Sequence, residues 1–201
     1  VYWGDTHLHT KFSIDAYIYG TNAFGPAEAY RFAKGEPLTT KNGMKAKLQR
    51  PLDFLVVADH AINMGVVNAV VENDPVIINE AQGKSWFKLI QEKISTPTTT
   101  LPIQEGGPLY LHLRSKGALG SERFQRSVWQ KIIDAADAYN DPGEFTAFIG
   151  YEWTPNFNLH RVVLFKDDAK KAQHIRPFSS YDSHDPEDLW RFMAGYQTTT
   201  G

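Results

Sequence analysis

The sequence predicts a single α/β domain over residues 1–201, and three observations carry that expectation. Apolar, β-branched runs bounded by turn residues recur at 54–58, 145–153 and 161–166, as strands require. Other stretches, 121–139 above all, space their apolar residues three and four apart, the period of a helix with one buried face. The two kinds alternate for most of the chain, with no internal repeat and no low-complexity linker, and alternation is the pattern that packs helices against a sheet.

Taken in order, "VYWGDTH" at the start is a short strand rich in aromatic and β-branched residues. In "GPAEAYRFAKG", Pro26 stands at a first helical position and Gly35 just past the end, a start and a stop for one helix. "DFLVVADH" holds the clearest buried strand, because Phe54 to Ala58 is an unbroken apolar run, as expected where both faces are covered. Residues 63–95 read as largely helical, divided near Gly83 and Ser85. A Pro/Thr/Gly-rich insertion around 95–120 breaks regular structure and serves either as a lid or as a surface excursion. Ser121 is the expected N-cap of a helix whose apolar positions Phe124, Val128, Ile132, Ala135 and Tyr139 run until "NDPG" stops them. "FTAFIGYEW" and "RVVLFK", joined by "TPNFNL", form a hairpin. Asp185-Pro186 opens a last helix whose first-turn acids suit its dipole.

Composition removes several classes of function. The 21 basic and 23 acidic side chains nearly cancel, so there is no basic footprint for nucleic acid. No apolar run approaches the roughly 20 residues of a membrane span, which predicts a soluble chain. The absence of cysteine excludes disulfides and thiolate metal sites, so any metal must sit on His, Asp and Glu. Compartment stays open: periplasmic or secreted if a signal segment was removed ahead of "VYWGD", otherwise cytoplasmic.

Ionisable residues then gather where strands end. Strand alternation places Asp5, His7 and His9 on one face, two imidazoles backed by a carboxylate able to orient a ring N–H. A pair of half-exposed strand-end histidines is the simpler alternative. Asp59 and His60 terminate the most apolar strand, where α/β folds build sites, although a buried Asp capping a turn would look the same. Glu152 lies between Tyr151 and Trp153, and a carboxylate among aromatics is costly unless paired. If the hairpin forms, His160 shares a rim with Glu152. Asp15 is a possible second carboxylate. These ligands exceed what one zinc needs and suit a pair of metals. His112, His174 and His184 read as structural or surface residues, and no dinucleotide, Walker A or GxSxG pattern is present.

"DTHLHT", "VVADH" and "GYEW", in that order, resemble the motifs of the PHP (polymerase and histidinol phosphatase) superfamily of metal-dependent phosphoesterases. "YWGDTHLHTKFSIDAY", "FTAFIGYEWT", "LHRVVLF" and "DPEDLW" resemble an uncharacterised bacterial branch, DUF3604, with residues 62–140 matched only loosely. The resemblance implies a distorted (β/α)7 TIM-like barrel with two or three divalent ions, zinc, manganese or iron. It places metal ligands at His7, His9, Asp15, His60, Glu152 and His160, with Asp59 in the DH motif and Glu152 bridging. The superfamily's late histidine and Asp-x-His pair find no match beyond His160, so the barrel is expected to be incomplete and the chain an N-terminal portion of a longer protein.

The expected activity is hydrolysis of a small-molecule phosphoester by metal-activated water, with Glu152, His9 and Asp59 as candidate catalytic residues. Arg161 and Lys11, beside the ligands, are candidate phosphate clamps. The rivals are an amidohydrolase-like attack on a carbon electrophile and a metal-binding module without turnover.

Overall fold

In the computed structural model, described for residues 1–79, 84–85, 87–88, 120–155 and 159–201, a four-stranded sheet is the frame on which the site is built. Its strands are β1 (Gly4–Leu8), β4 (Phe54–Val57), β5 (Thr146–Trp153) and β6 (Arg161–Phe165), and they lie in that order across the sheet. A two-stranded hairpin, β2 (Leu38–Thr39) with β3 (Lys45–Ala46), stands apart from it. β1, β4 and β5 are parallel, while β6 returns antiparallel to β5 with Glu152 opposite Val162 and Trp153 opposite Arg161.

The expected (β/α)7 barrel is not what forms. The sheet is open: among the described residues β1 and β6 are its two edges and do not meet. The reason lies in the β5–β6 connection. Only seven residues separate the two strands, too few for the helical crossover that a parallel neighbour needs but ample for a hairpin. Parallel winding therefore stops at β5.

Helices cover one face of this sheet. α1 (Asp15–Ile18) follows β1, and α2 (Pro26–Ala33) carries the chain back to β4. α3 (Val66–Val71), α4 (Pro75–Ile78) and the long α5 (Glu122–Tyr139) lie between β4 and β5. α6 (Ala169–Ala172) and α7 (Pro186–Thr200) follow β6. Leu55, Val57, Ile149, Tyr151 and Trp153 join Tyr30, Trp129, Ile132 and Ile133 in a continuous core. At roughly 1.5–3 kcal/mol per fully buried large apolar side chain, this is the part of the fold that holds the strand ends in place. On the opposite face Phe54 and Phe148 meet edge-to-face, ring centroids 6.1 Å apart.

Several local expectations hold. Pro26 starts α2, and Gly35 adopts φ +88° beyond its end. The Ser121 hydroxyl accepts from the Phe124 N–H at 3.2 Å, and Asp185 caps α7 through the Glu187 N–H at 2.9 Å. The helical expectation for 63–95 is too simple over the described residues. Asn73 takes φ +57° and Asp74 accepts from the Val76 N–H, so α3 ends and α4 starts afresh at Pro75. The expected insertion around 95–120 lies outside the described residues, Gly120 excepted, as do residues 156–158 of the β5–β6 turn.

Candidate metal centre

The backbone brings the three motifs to one rim. The β4–β5 pairing continues past the end of β4: the Glu152 N–H donates to the Asp59 carbonyl at 3.0 Å and the Ala61 N–H to the Glu152 carbonyl at 2.8 Å. This sets His60 beside Glu152. The turn at 10–13 after β1 is pinned by the Lys11 N–H on the Phe24 carbonyl and the Gly65 N–H on the Phe12 carbonyl. The hairpin return then carries His160 back to the same rim.

Four imidazoles converge on one carboxylate. His7 Nε2 lies 2.9 Å, His9 Nε2 3.2 Å and His60 Nδ1 3.1 Å from Glu152 Oε2, while His160 Nδ1 lies 2.5 Å from Glu152 Oε1. His60 Nε2 also lies 3.0 Å from Asp15 Oδ2. Glu152 is fully buried, yet both of its carboxylate oxygens, and Asp15 Oδ2, lack a hydrogen bond. The contacts have ion-pair distance without hydrogen-bond geometry. Buried oxygens left this way cost free energy unless something else meets them. Three overlapping groups have ligand atoms close enough to share an ion: His7, His9 and Glu152; His9, Asp15 and His60; His60, Glu152 and His160. Each fits the oxygen-and-nitrogen donor set of zinc, manganese or iron. His9, His60 and Glu152 each belong to two groups, which suits more than one cation.

The electrostatics run the same way. Burial favours the neutral acid at Glu152, but His9, His60 and His7 outweigh it and hold the carboxyl at about 2. At Asp15 burial is likewise outweighed, by His60, and the carboxyl lies at about 2. Burial opposes charge on His9, but Glu152 and the nearby Asp15 and Asp59 prevail and raise its pKa. The anionic carboxylates a metal requires are thus already favoured.

Every predicted ligand (His7, His9, Asp15, His60, Glu152 and His160) is in the cluster. Asp59 is beside it and turned away, its Oδ1 accepting from the Thr10 N–H and the Ser13 hydroxyl and its Oδ2 from the Thr10 hydroxyl. Asp5 does not orient an imidazole: its carboxylate accepts from the His7 backbone N–H at 2.8 Å. The pairing of β1 with β4 is irregular between Asp5 and Leu8, a bulge that breaks the simple alternation while leaving His7 and His9 on one side. Lys11 is engaged by Glu72, 2.8 Å away, whereas Arg161 is exposed next to His160 and donates to its carbonyl at 2.9 Å. His174 and His184 are exposed, and His112 lies outside the described residues.

Sequence reasoning missed three hydroxyls. Thr10, Ser13 and Thr154 are buried and touch Asp59, His9 and His60; Thr154 Oγ1 lies 2.6 Å from His60 Nδ1. The available signal was their position, small hydroxylated residues within a few places of the proposed ligands.

Among the described residues no helix is long and apolar enough to cross a membrane. Neither curated proteins nor solved structures yield a match to the chain. The family described as "Protein of unknown function (DUF3604)" matches residues 1–201. This chain, with its rim of four histidines around a buried glutamate, belongs to the DUF3604 family.

Proposed function

We propose that the rim is the catalytic centre of a metal-dependent hydrolase acting on phosphoesters. The observation that carries the reading is Glu152, whose two buried oxygens lack hydrogen bonds although four imidazoles surround them. The order of the motifs, which resembles that of the PHP superfamily, supports phosphorus as the electrophile.

Divalent ions at such a centre supply Lewis-acid stabilisation of developing charge and lower the pKa of a water toward ~7. The protein's part is to hold the ligands. His7 comes from β1 and His9 directly follows it, Asp15 comes from the first turn of α1, His60 from just beyond β4 and Glu152 from the end of β5 beside it, and His160 directly precedes β6. Glu152 divides its oxygens, Oε2 toward His7, His9 and His60 and Oε1 toward His160, so one carboxylate serves two sides of the centre. Half-exposed His7 and His160 leave the rim open to a substrate, and Arg161 offers the exposed cation nearest His160.

The test is elemental analysis of carefully purified protein together with a panel of phosphoesters, amides and lactones. We expect bound transition metal, turnover confined to phosphoesters, and loss of both in Glu152→Gln. Turnover of lactones or amides instead moves the reading to a carbon electrophile. Tight metal without turnover of any class makes the chain a binding module, and protein free of metal after incubation with zinc or manganese overturns the proposal.

A further inference from the structure

The hydroxyl of Ser13 has three neighbours and one proton. It lies 2.8 Å from Asp59 Oδ1, 3.0 Å from the backbone nitrogen of His60 and 2.9 Å from His9 Nδ1. The His60 N–H can only donate, so it takes one lone pair of Ser13. Asp59 Oδ1 already accepts from the Thr10 N–H at 2.7 Å, so it is the acceptor oxygen and takes the Ser13 proton. This holds whether or not Asp59 is ionised, because a proton on that carboxyl would sit on Oδ2, facing the Thr10 hydroxyl at 2.6 Å. One lone pair of Ser13 is left for His9. His9 Nδ1 must therefore carry a hydrogen and donate it, which leaves the lone pair of the neutral ring on Nε2, the nitrogen that faces Glu152.

We infer that Ser13, with its proton committed to Asp59, locks His9 as the Nδ1–H tautomer and so presents Nε2 to the centre as a ligand. Ser13 and Asp59 are positioning residues, both fully enclosed and both acting through His9. Their burial makes the arrangement rigid: Ser13 is 2% and Asp59 0% exposed, so water does not compete for these bonds. The same hydroxyl joins the turn after β1 to the end of β4, so one atom sets both the tautomer of His9 and the backbone position of His60. The role in ligation rests on the metal reading above, whereas the tautomer is a property of the chain alone.

The experiment uses ring-nitrogen NMR shifts of the metal-free protein, at a pH that leaves the imidazoles neutral and with His9 assigned against His9→Gln. Zinc affinity by chelator competition is measured alongside. The wild type is expected to show His9 solely as the Nδ1–H form. Ser13→Ala is expected to give a mixture of tautomers and about 10–100-fold weaker zinc binding, the usual cost of removing an outer partner of a ligating histidine. In Asp59→Asn the amide oxygen still faces the Thr10 N–H and the Ser13 hydroxyl, so the tautomer is retained and zinc affinity falls less than in Ser13→Ala. A wild-type Nε2–H form overturns the inference, as does Ser13→Ala with unchanged tautomer and affinity, or Asp59→Asn with a scrambled tautomer. If Ser13→Ala does not fold, the wild-type and Asp59→Asn tautomers decide. Wild type with the expected tautomer but no zinc affinity leaves the lock standing and removes the metal reading.

Discussion

Glu152 is a buried carboxylate in a strand whose neighbours, Tyr151 and Trp153, are core residues. Alternation puts those aromatics on the helix-covered face and Glu152 on the other, toward the imidazoles. Ordinary ion pairing elsewhere in the chain shows the contrast. Asp182 forms a two-point pair with Arg176 and also accepts the Ser179 N–H at 2.8 Å, so its oxygens have proper donors. Burial works against its ionisation, but Arg176 and Ser179 outweigh it and hold the carboxyl below its ordinary 3.8. The folded state thus binds this proton less readily than the unfolded one. The stabilisation is complete above the ordinary carboxyl value and is lost as pH falls through the folded value. Water partly screens the pair, so Asp182→Asn is expected to cost about 1 kcal/mol at neutral pH. Melting curves followed down to the acid range should show the gap between variant and wild type closing.

At the scale of the element, β5 is the strand that positions most. It pairs with β4 on one side and β6 on the other, and its last residues carry Glu152 and adjoin Thr154. Gly150 allows this. A Cβ there would sit 2.6 Å from Val56 Cγ1 and 2.9 Å from the Val163 carbonyl oxygen, distances that force a backbone shift. Gly150→Ala is therefore expected to destabilise by about 1–3 kcal/mol, the usual cost of overpacking a core. Because the shift occurs two residues before Glu152, zinc affinity should fall as well. Denaturant unfolding and chelator competition on the same sample measure both, and a variant with native stability and affinity would contradict the account.

For the whole molecule, the centre ties together elements distant in sequence: β1 with the turn after it, the end of β4, the end of β5 and the start of β6. A cation that binds the folded rim and not the unfolded chain must stabilise all of them at once. At a concentration of about 100 times its Kd the gain is about 2.7 kcal/mol, or a rise in Tm of about 5–10 °C for a chain of this size. We expect that rise with zinc or manganese, its reversal by chelator, and its absence in Glu152→Gln. A rise of equal size in Glu152→Gln would show that the stabilising ion binds elsewhere.

The sequence by itself determined the strands of the main sheet, the three longer helices and the identity of the cluster. Local signals were sufficient for α2, α5 and α7, since Pro26, Ser121 and Asp185 act within one helical turn of themselves. The six proposed ligands were legible because ionisable residues at the ends of apolar strands stand out against their surroundings. Other features depended on tertiary structure, because they arise between residues far apart in the chain. The bulge in β1 turned Asp5 from the imidazoles to a backbone N–H, and such a slip follows from pairing with β4. The enclosure of Asp59 by Thr10 and Ser13 spans 49 and 46 residues, and no spacing rule reaches that far. Sheet closure is likewise a property of all strands together. The motif resemblance implied a barrel, but among the described residues the sheet is open, with β6 returning antiparallel to β5 and four histidines gathered at its rim.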